Sequence, residues 1–261
     1  MFVPLATASG GSIGAETIGV LAAVVAAHAA TARECGARGV QAVATAAIRQ
    51  AADRDALCAA VTREAGLPVR VLTDAEEARL AFAGATAMLE PPASGTIGVV
   101  DVGGGSSELV AGTAAGGVTW FRSVPVGSGV LTARHVREDP PGPAEIAALR
   151  ADAEAAFGGV TAPVPAAAYA VGGSATSLRR VCGDELSPAT LDRALTTLTA
   201  WPVREAAERL GLARERVRLL PAGLVLLRTA SEAFGGVPLR VARGGLREGV
   251  VLEHFARHGP G

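Results

Sequence analysis

The sequence predicts an α/β fold in two parts, the second ending in a helical layer. Three observations lead there. Before residue 90, apolar residues switch between helix-like and strand-like spacing. Glu90-Pro91-Pro92-Ala93-Ser94-Gly95 then gathers proline, serine and glycine into the best candidate boundary. Beyond it, three short strands with glycine-rich turns give way to a run of helices. The parts are therefore drawn as residues 1–92 and 93–261.

In the first part, residues 14–36 are alanine-rich with Ile18, Leu21, Val25 and Ala29 near helical spacing, which predicts a long helix ended by Gly36 and Gly39. Residues 40–44 read as a strand, 51–65 as a helix and 69–72 as a strand bounded by Pro68 and Asp74. Asp74 is a candidate N-cap for a helix over 75–89, with Glu77 at the third helical position as in a capping box. In the second part, 97–102, 107–112 and 118–124 read as an antiparallel start. Helices over 128–137 and 144–156 come next, separated by Asp139-Pro140-Pro141-Gly142. A strand over 167–171 runs into Gly172-Gly173-Ser174 and a helix over 175–181. The remainder reads as helices over 188–199, 203–210 and 222–234, a strand over 239–241 and a helix over 246–257.

Composition narrows the chemistry. The 261 residues are 49% hydrophobic, enough for a sizeable core. Net charge is -1, from Lys+Arg 24 against Asp+Glu 25, so no broad basic surface draws the chain to nucleic acid or an anionic membrane. Any anion site must be built locally. The chain has no lysine, which excludes a Walker P-loop, a pyridoxal Schiff base and a protein-kinase site. Cys35, Cys58 and Cys182 lie far apart and are expected to be reduced core thiols, and the four histidines form no metal-binding cluster. The apolar run 18–31 is shorter than the roughly 20 residues a bilayer needs and contains His28, so a buried helix is expected. With Glu16 as the first charge there is no basic leader, and a cytoplasmic protein is expected.

The most informative stretch is Val99-Val100-Asp101-Val102-Gly103-Gly104-Gly105-Ser106-Ser107-Glu108-Leu109. An apolar strand ends in an aspartate, three glycines turn the chain, two hydroxyls come after them, and a carboxylate opens the next strand. Glycines with positive φ would let successive N–H groups close on an anion, and Ser106 and Ser107 could add donors. Asp101 and Glu108 flank the bend with hard oxygen ligands suited to Mg²⁺ bridging protein and phosphate. The bland alternative is a glycine-rich hairpin with ordinary surface carboxylates. Gly172, Gly173 and Ser174 sit between strand and helix, where N–H groups favour an anion, although a tight turn with Ser174 as N-cap explains them about as well.

Asp-x-Gly-Gly-Gly-Ser-Ser-Glu resembles the second phosphate loop of the exopolyphosphatase and guanosine pentaphosphate phosphohydrolase (Ppx/GppA) family, in the actin-like ATPase superfamily. Ala42-Val43-Ala44-Thr45-Ala46-Ala47-Ile48-Arg49-Gln50-Ala51 is similar to its strand and arginine turn. Leu72-Thr73-Asp74-Ala75-Glu76-Glu77-Ala78-Arg79-Leu80 is similar to its Glu-Glu-Ala-Arg segment, and Leu246-Arg247-Glu248-Gly249 to its C-terminal signature. Ser123-Val124-Pro125-Val126-Gly127 agrees as well. The resemblance implies an actin-like, ribonuclease H-like two-lobed fold with a helical elaboration on the second lobe. It implies Glu77 as the base that deprotonates the attacking water and Arg49 as the clamp on the substrate phosphate. Read without the family, Glu77 suits a cap or an exposed helix carboxylate, and Arg49 a surface ion pair.

The chain departs from the family in two places. No Asp-x-Gly-[Ser/Thr]-Asn-[Ser/Thr] loop is present: Met1-Phe2-Val3-Pro4-Leu5 looks like a segment that family members place after that loop and its strands, and Ser9-Gly10-Gly11-Ser12 lacks the preceding aspartate. A first lobe truncated at its N-terminus, with unpaired strand edges near Val40 and Val69, is the expectation. Arg243-Gly244 stands where the family usually has serine-aspartate. The implied activity is Mg²⁺-assisted release of terminal orthophosphate from inorganic polyphosphate or guanosine pentaphosphate, the latter a link to the stringent response. An inactive, phosphate-binding relative is the alternative, and an exposed sheet edge would favour a homodimer.

Overall fold

The computed structural model describes residues 11–90 and 93–259. Met1-Phe2-Val3-Pro4-Leu5, Ser9, Gly10, Pro91 and Pro92 lie outside the described residues. Contacts divide the chain into two compact units, Met1–Asp74 and Ala75–Gly261.

The first unit contains α1 (Ala15–Glu34), β1 (Ala42–Ala44), α2 (Ala46–Arg49), α3 (Arg54–Ala65) and β2 (Val69–Val71). Strands β1 and β2 pair in parallel, Val43 opposite Arg70. The core is made where α1 meets α3: Ile18, Ala22 and Ala29 pack with Leu57, Ala60, Val61 and Leu67. The expectation of a buried first helix is corrected here. Only Ile18, Ala22 and Ala29 of α1 are buried, because alanine at most core-facing positions contacts one neighbouring helix while the remaining faces meet solvent. By length and composition α1 is also apolar enough to cross a membrane, which the shorter run 18–31 understates.

The second unit opens with α4 (Asp74–Ala87), whose first residue closes the first unit. The prolines at 91 and 92 suggest a later boundary. Packing instead joins α4 to the strands after it: Ala78, Phe82 and Ala85 share one apolar cluster with Ile97, Val99, Val110 and Val171. Strands β3 (Ile97–Val102), β4 (Ser107–Thr113), β5 (Gly117–Val124), β6 (Ala167–Val171), β7 (Glu185–Leu186) and β8 (Leu239–Val241) form a six-stranded sheet in the order β5-β4-β3-β6-β8-β7. The pairs β3·β6 and β6·β8 are parallel, while β4, β5 and β7 run antiparallel to their neighbours.

Helices α5 (Ser128–His135), α6 (Pro143–Phe157), α7 (Gly172–Cys182), α8 (Pro188–Thr199), α9 (Val203–Leu210) and α10 (Arg214–Ala233) supply the helical layer. Val100, Val102, Leu109, Ala168 and Ala170 of the sheet pack with Leu131, Leu149, Leu178, Leu191 and Leu224 of these helices. Gly98 lacks a side chain where one would press on Phe234, 3.0 Å from its Cε2. Helix α10 starts earlier than expected and carries Pro221 in its interior. A proline there removes one i→i−4 bond, a loss of about 3 kcal/mol, which burial of the surrounding leucines offsets. Helix α11 (Leu246–His258) completes the chain. The cysteines are free as expected, but none is buried: Cys35 is exposed and the other two are intermediate.

Asp53 anchors the start of α1. Its carboxylate accepts from the Ser12 hydroxyl and from the N–H groups of Ile13 (2.8 Å) and Gly14 (2.9 Å). These bonds, the Ser12 bond first, lower its pKa from 3.8 to about 2. A carboxyl depressed on folding contributes at pH values above its unfolded pKa and loses that contribution as pH falls through the folded value. Asp53→Ala is therefore expected to speed hydrogen exchange at the Ile13 and Gly14 amides at neutral pH. In the unaltered protein the same protection should fade only as pH drops from about 4 towards 2; equal exchange in both proteins at neutral pH would rule the anchor out.

Candidate active site

The glycine bend is a short hairpin connection. Asp101 and Glu108 are register partners across β3 and β4, and the Gly103 N–H donates to the Ser106 carbonyl at 3.0 Å. A register partnership puts both side chains on one face of the sheet, so the flanking acids point to the same side.

The glycines do not serve as the sequence suggested. Gly103 and Gly104 keep φ outside the left-handed region; close approach is what they permit. The Gly103 carbonyl accepts from the Ser128 N–H (2.9 Å) and hydroxyl (3.1 Å), and the Gly104 carbonyl accepts from the Val130 N–H (3.1 Å). Within one planar peptide the carbonyl and the following N–H point opposite ways. Tying these two carbonyls to α5 therefore turns the N–H groups of Gly104 and Gly105 away from it, and neither takes a partner among the described residues. Gly127 makes the arrangement possible, since a Cβ there would lie 2.6 Å from the Gly103 oxygen and 2.5 Å from the Gly104 carbonyl carbon.

The serine hydroxyls have partners within the protein. Ser107 is buried and donates to the Val126 carbonyl at 2.7 Å. Ser106 hydrogen-bonds Glu108. Ser174 is buried too, donating to the Val102 carbonyl at 3.4 Å, and is not an N-cap: α7 begins at Gly172 with Val171 at the cap. The strand continues straight into the helix, leaving no room for a capping serine.

Glu77 is only 6% exposed and Glu108 2%. Asp101 is raised from 3.8 to about 6, by burial first and by the charge of Glu77 second. Glu108 is raised for the same reasons, burial and then the charges of Glu77 and Asp101, against the lowering effect of Ser106 and Ser123, whose hydroxyl lies 3.1 Å away. Glu77 thus lies within electrostatic reach of both acids of the bend. The three carboxylates lie close enough to repel one another.

The second glycine turn meets the first. Gly172 has φ +82, and a Cβ on it would overlap the Asp101 carboxylate. Against Gly173 lies the guanidinium of Arg216, at 2.5 Å (Nη1) and 2.8 Å (Cζ) from where a Cβ would stand. Burial lowers the pKa of Arg216. Sequence reading missed this arginine, one of several in the first turns of α10, because only packing brings it to Gly173. Arg49 lies in the first unit, where its guanidinium donates to the Leu72 carbonyl at 2.6 Å and pairs with Asp74.

Among the described residues no three His, Cys, Asp or Glu side chains are arranged to hold a metal by themselves. The donor set nevertheless fits Mg²⁺, which takes one or two carboxylates and completes its shell with water and phosphate oxygens. Crowded carboxylates with raised pKa values are also what a nearby dication would relieve.

Comparison with known proteins shows the family. Exopolyphosphatase 1 of Mycobacterium leprae is 30% identical over 263 residues, covering 95% of this chain and 77% of that protein. Exopolyphosphatase 1 of Mycobacterium tuberculosis is 30% identical over 264 residues, covering 95% and 76%. The crystal structure of the Aquifex aeolicus Ppx/GppA family member matches with a TM-score of 0.77 at 28% identity, over 96% of this chain and 85% of that one. An exopolyphosphatase structure from Cytophaga hutchinsonii, 20% identical, shares the fold with a TM-score of 0.83 over 95% and 84%. Residues 6–258 match the Ppx/GppA phosphatase family, and with its two-sheet, actin-like α/β fold the chain belongs to that family.

Proposed function

We propose that this protein removes the terminal phosphoryl group of inorganic polyphosphate by attack of water, with guanosine pentaphosphate as the other phosphoanhydride of the same chemistry. The convergence of Glu77 on Asp101 and Glu108 beside the bend carries the reading. The names of the mycobacterial relatives favour polyphosphate.

In this reading Glu77 accepts a proton from water as its oxygen bonds to the terminal phosphorus. The bridging P–O bond breaks, and the chain leaves shortened by one phosphate. The N–H groups of Gly104 and Gly105 donate to the phosphoryl oxygens, and Arg216 adds a cation with a planar fork of donors. Mg²⁺ held by Asp101 and Glu108 would supply the positive charge that lets both acids stay ionised beside a polyanion. Burial of Glu77 and Glu108 limits screening of these interactions by bulk water.

With Mg²⁺ present, purified protein is expected to release orthophosphate from polyphosphate, and chelation should abolish the release until Mg²⁺ is restored. Glu77→Gln should lower kcat by roughly 10²- to 10⁴-fold with KM little changed, the usual contribution of general base catalysis. No phosphate release from either substrate, or full activity in Glu77→Gln, would defeat the reading.

Arg216→Ala should lower kcat/KM by about 10- to 100-fold, equivalent to the ~1.5–3 kcal/mol of a charged hydrogen bond, with partial recovery in Arg216→Lys. Steady-state kinetics decide this, and an unchanged kcat/KM would remove Arg216 from the site.

A further inference from the structure

Glu77 is carried by α4, and α4 is clasped by α11 through backbone contact. A Cβ on Gly84 would lie 2.6 Å from the Gly249 nitrogen and 2.9 Å from the Gly245 carbonyl carbon. A Cβ on Gly249 would lie 2.6 Å from the Leu80 carbonyl carbon and 3.0 Å from its Cα. On the α11 side, the Gly245 N–H donates to the Glu248 carboxylate at 2.8 Å, and a Cβ on Gly245 would sit 3.3 Å from Val171, the residue before Gly172. One turn further along α11, Glu253 pairs with Arg79 and with Arg257.

These contacts climb α4 in steps, Gly84, Leu80 and Arg79, towards Glu77. Residues 77, 80 and 84 fall on one helix face, so the surface that carries the carboxylate is the surface α11 touches. Side chains between helices can repack by changing rotamer, but glycine against backbone has no such freedom. Typical helix axes stand about 8–10 Å apart, and glycines at the crossing are what allow a closer approach.

We propose that Gly245 and Gly249 of α11, braced by Glu248 and Glu253, are positioning residues: they set how deeply the Glu77 carboxylate reaches towards Asp101 and Glu108. The proposal rests on Glu77 acting as the base. It gives the C-terminal Leu246-Arg247-Glu248-Gly249 motif a part in catalysis, although none of its residues is proposed to touch substrate.

The test is Gly249→Ala. Its methyl must move from 2.6 Å to an ordinary contact of about 3.5–4.0 Å from the Leu80 carbonyl carbon, a displacement of about 1 Å. A misplacement of that size is expected to lower kcat by about 100-fold with KM within about twofold. A crystal structure of the variant should show α4 and the Glu77 carboxylate shifted by about 1 Å. Leu191→Ala, which opens the helical layer away from α4, serves as a control that lowers thermal stability but leaves kcat unchanged. Glu253→Gln adds no bulk and should lower kcat about three- to tenfold, so it decides the matter if Gly249→Ala does not fold. A folded Gly249→Ala, or failing that Glu253→Gln, with wild-type kcat or with Glu77 unmoved overturns the proposal. If the wild type is active and Glu77→Gln is not, that result leaves the phosphohydrolase reading standing. An inactive wild type refutes that reading instead, and the Glu77 position in the variant crystal still decides this one.

Discussion

The site depends on keeping three carboxylates together that electrostatics would drive apart. Glu77 and Glu108 are buried, Asp101 is partly so, and each raises the free energy of its neighbours in the charged form. Burial multiplies that cost, since a low local dielectric strengthens repulsion and withdraws hydration at once. Such a cluster persists only where the surrounding structure leaves it no way to relax. The register of β3 and β4 supplies one constraint, because slipping the pairing by one residue would send Asp101 and Glu108 to opposite faces. The apolar packing of α4 on Ile97, Val99 and Val110 supplies another.

The bend answers the acids with donors built from backbone. The Gly103 and Gly104 carbonyls bond to α5 and the serine hydroxyls to Val126 and Glu108, while the Gly104 and Gly105 N–H groups take no partner among the described residues. Amides carry no charge and need no counter-ion, so they can sit close to carboxylates without forming the internal ion pair that a lysine or arginine would. Arg216, the cation nearest this arrangement that the contacts identify, approaches from the far side of the second turn, against Gly173. On the proposed reading, a substrate rich in negative charge would meet donors on one side and acids on another, and a dication would join the two.

Much of this could be read in the sequence, and the reasons it could are local. Strands β3, β6 and β8 and helices α8 and α9 match their expected spans residue for residue, because alternation, proline starts and glycine ends are signals carried within each segment. Asp101, Glu108 and the bend were legible because a hairpin brings close in space what is close in the chain. Glu77 was legible through a motif, not through periodicity. What stayed hidden depends on distant packing. Arg216 reaches Gly173 only because α10 packs on α7, and α10 extends through Pro221 to Arg214, the local cost of the proline being outweighed by the burial of its neighbours. The inward turn of Ser107 and Ser174 came from acceptors supplied by Val126 and Val102, outside the segments that suggested them. The unit boundary fell at Asp74 because α4 buries its apolar face on the sheet, a choice that the prolines at 91 and 92 do not announce.

The three acids also differ in how they are held. Asp101 and Glu108 are fixed by the same ladder, so any motion of the hairpin carries them together and leaves their separation intact. Glu77 is carried by a helix outside the strand ladder, and nothing in the ladder determines its depth. Apolar side chains alone would hold it loosely, since a helix on a sheet can slide by a fraction of an ångström while its side chains change rotamer. Backbone against backbone removes that latitude, and the glycines of α4 and α11 stand where it is needed. The position of a carboxylate can therefore be set by glycines, which have no side-chain chemistry of their own and lie far along the chain from the acid.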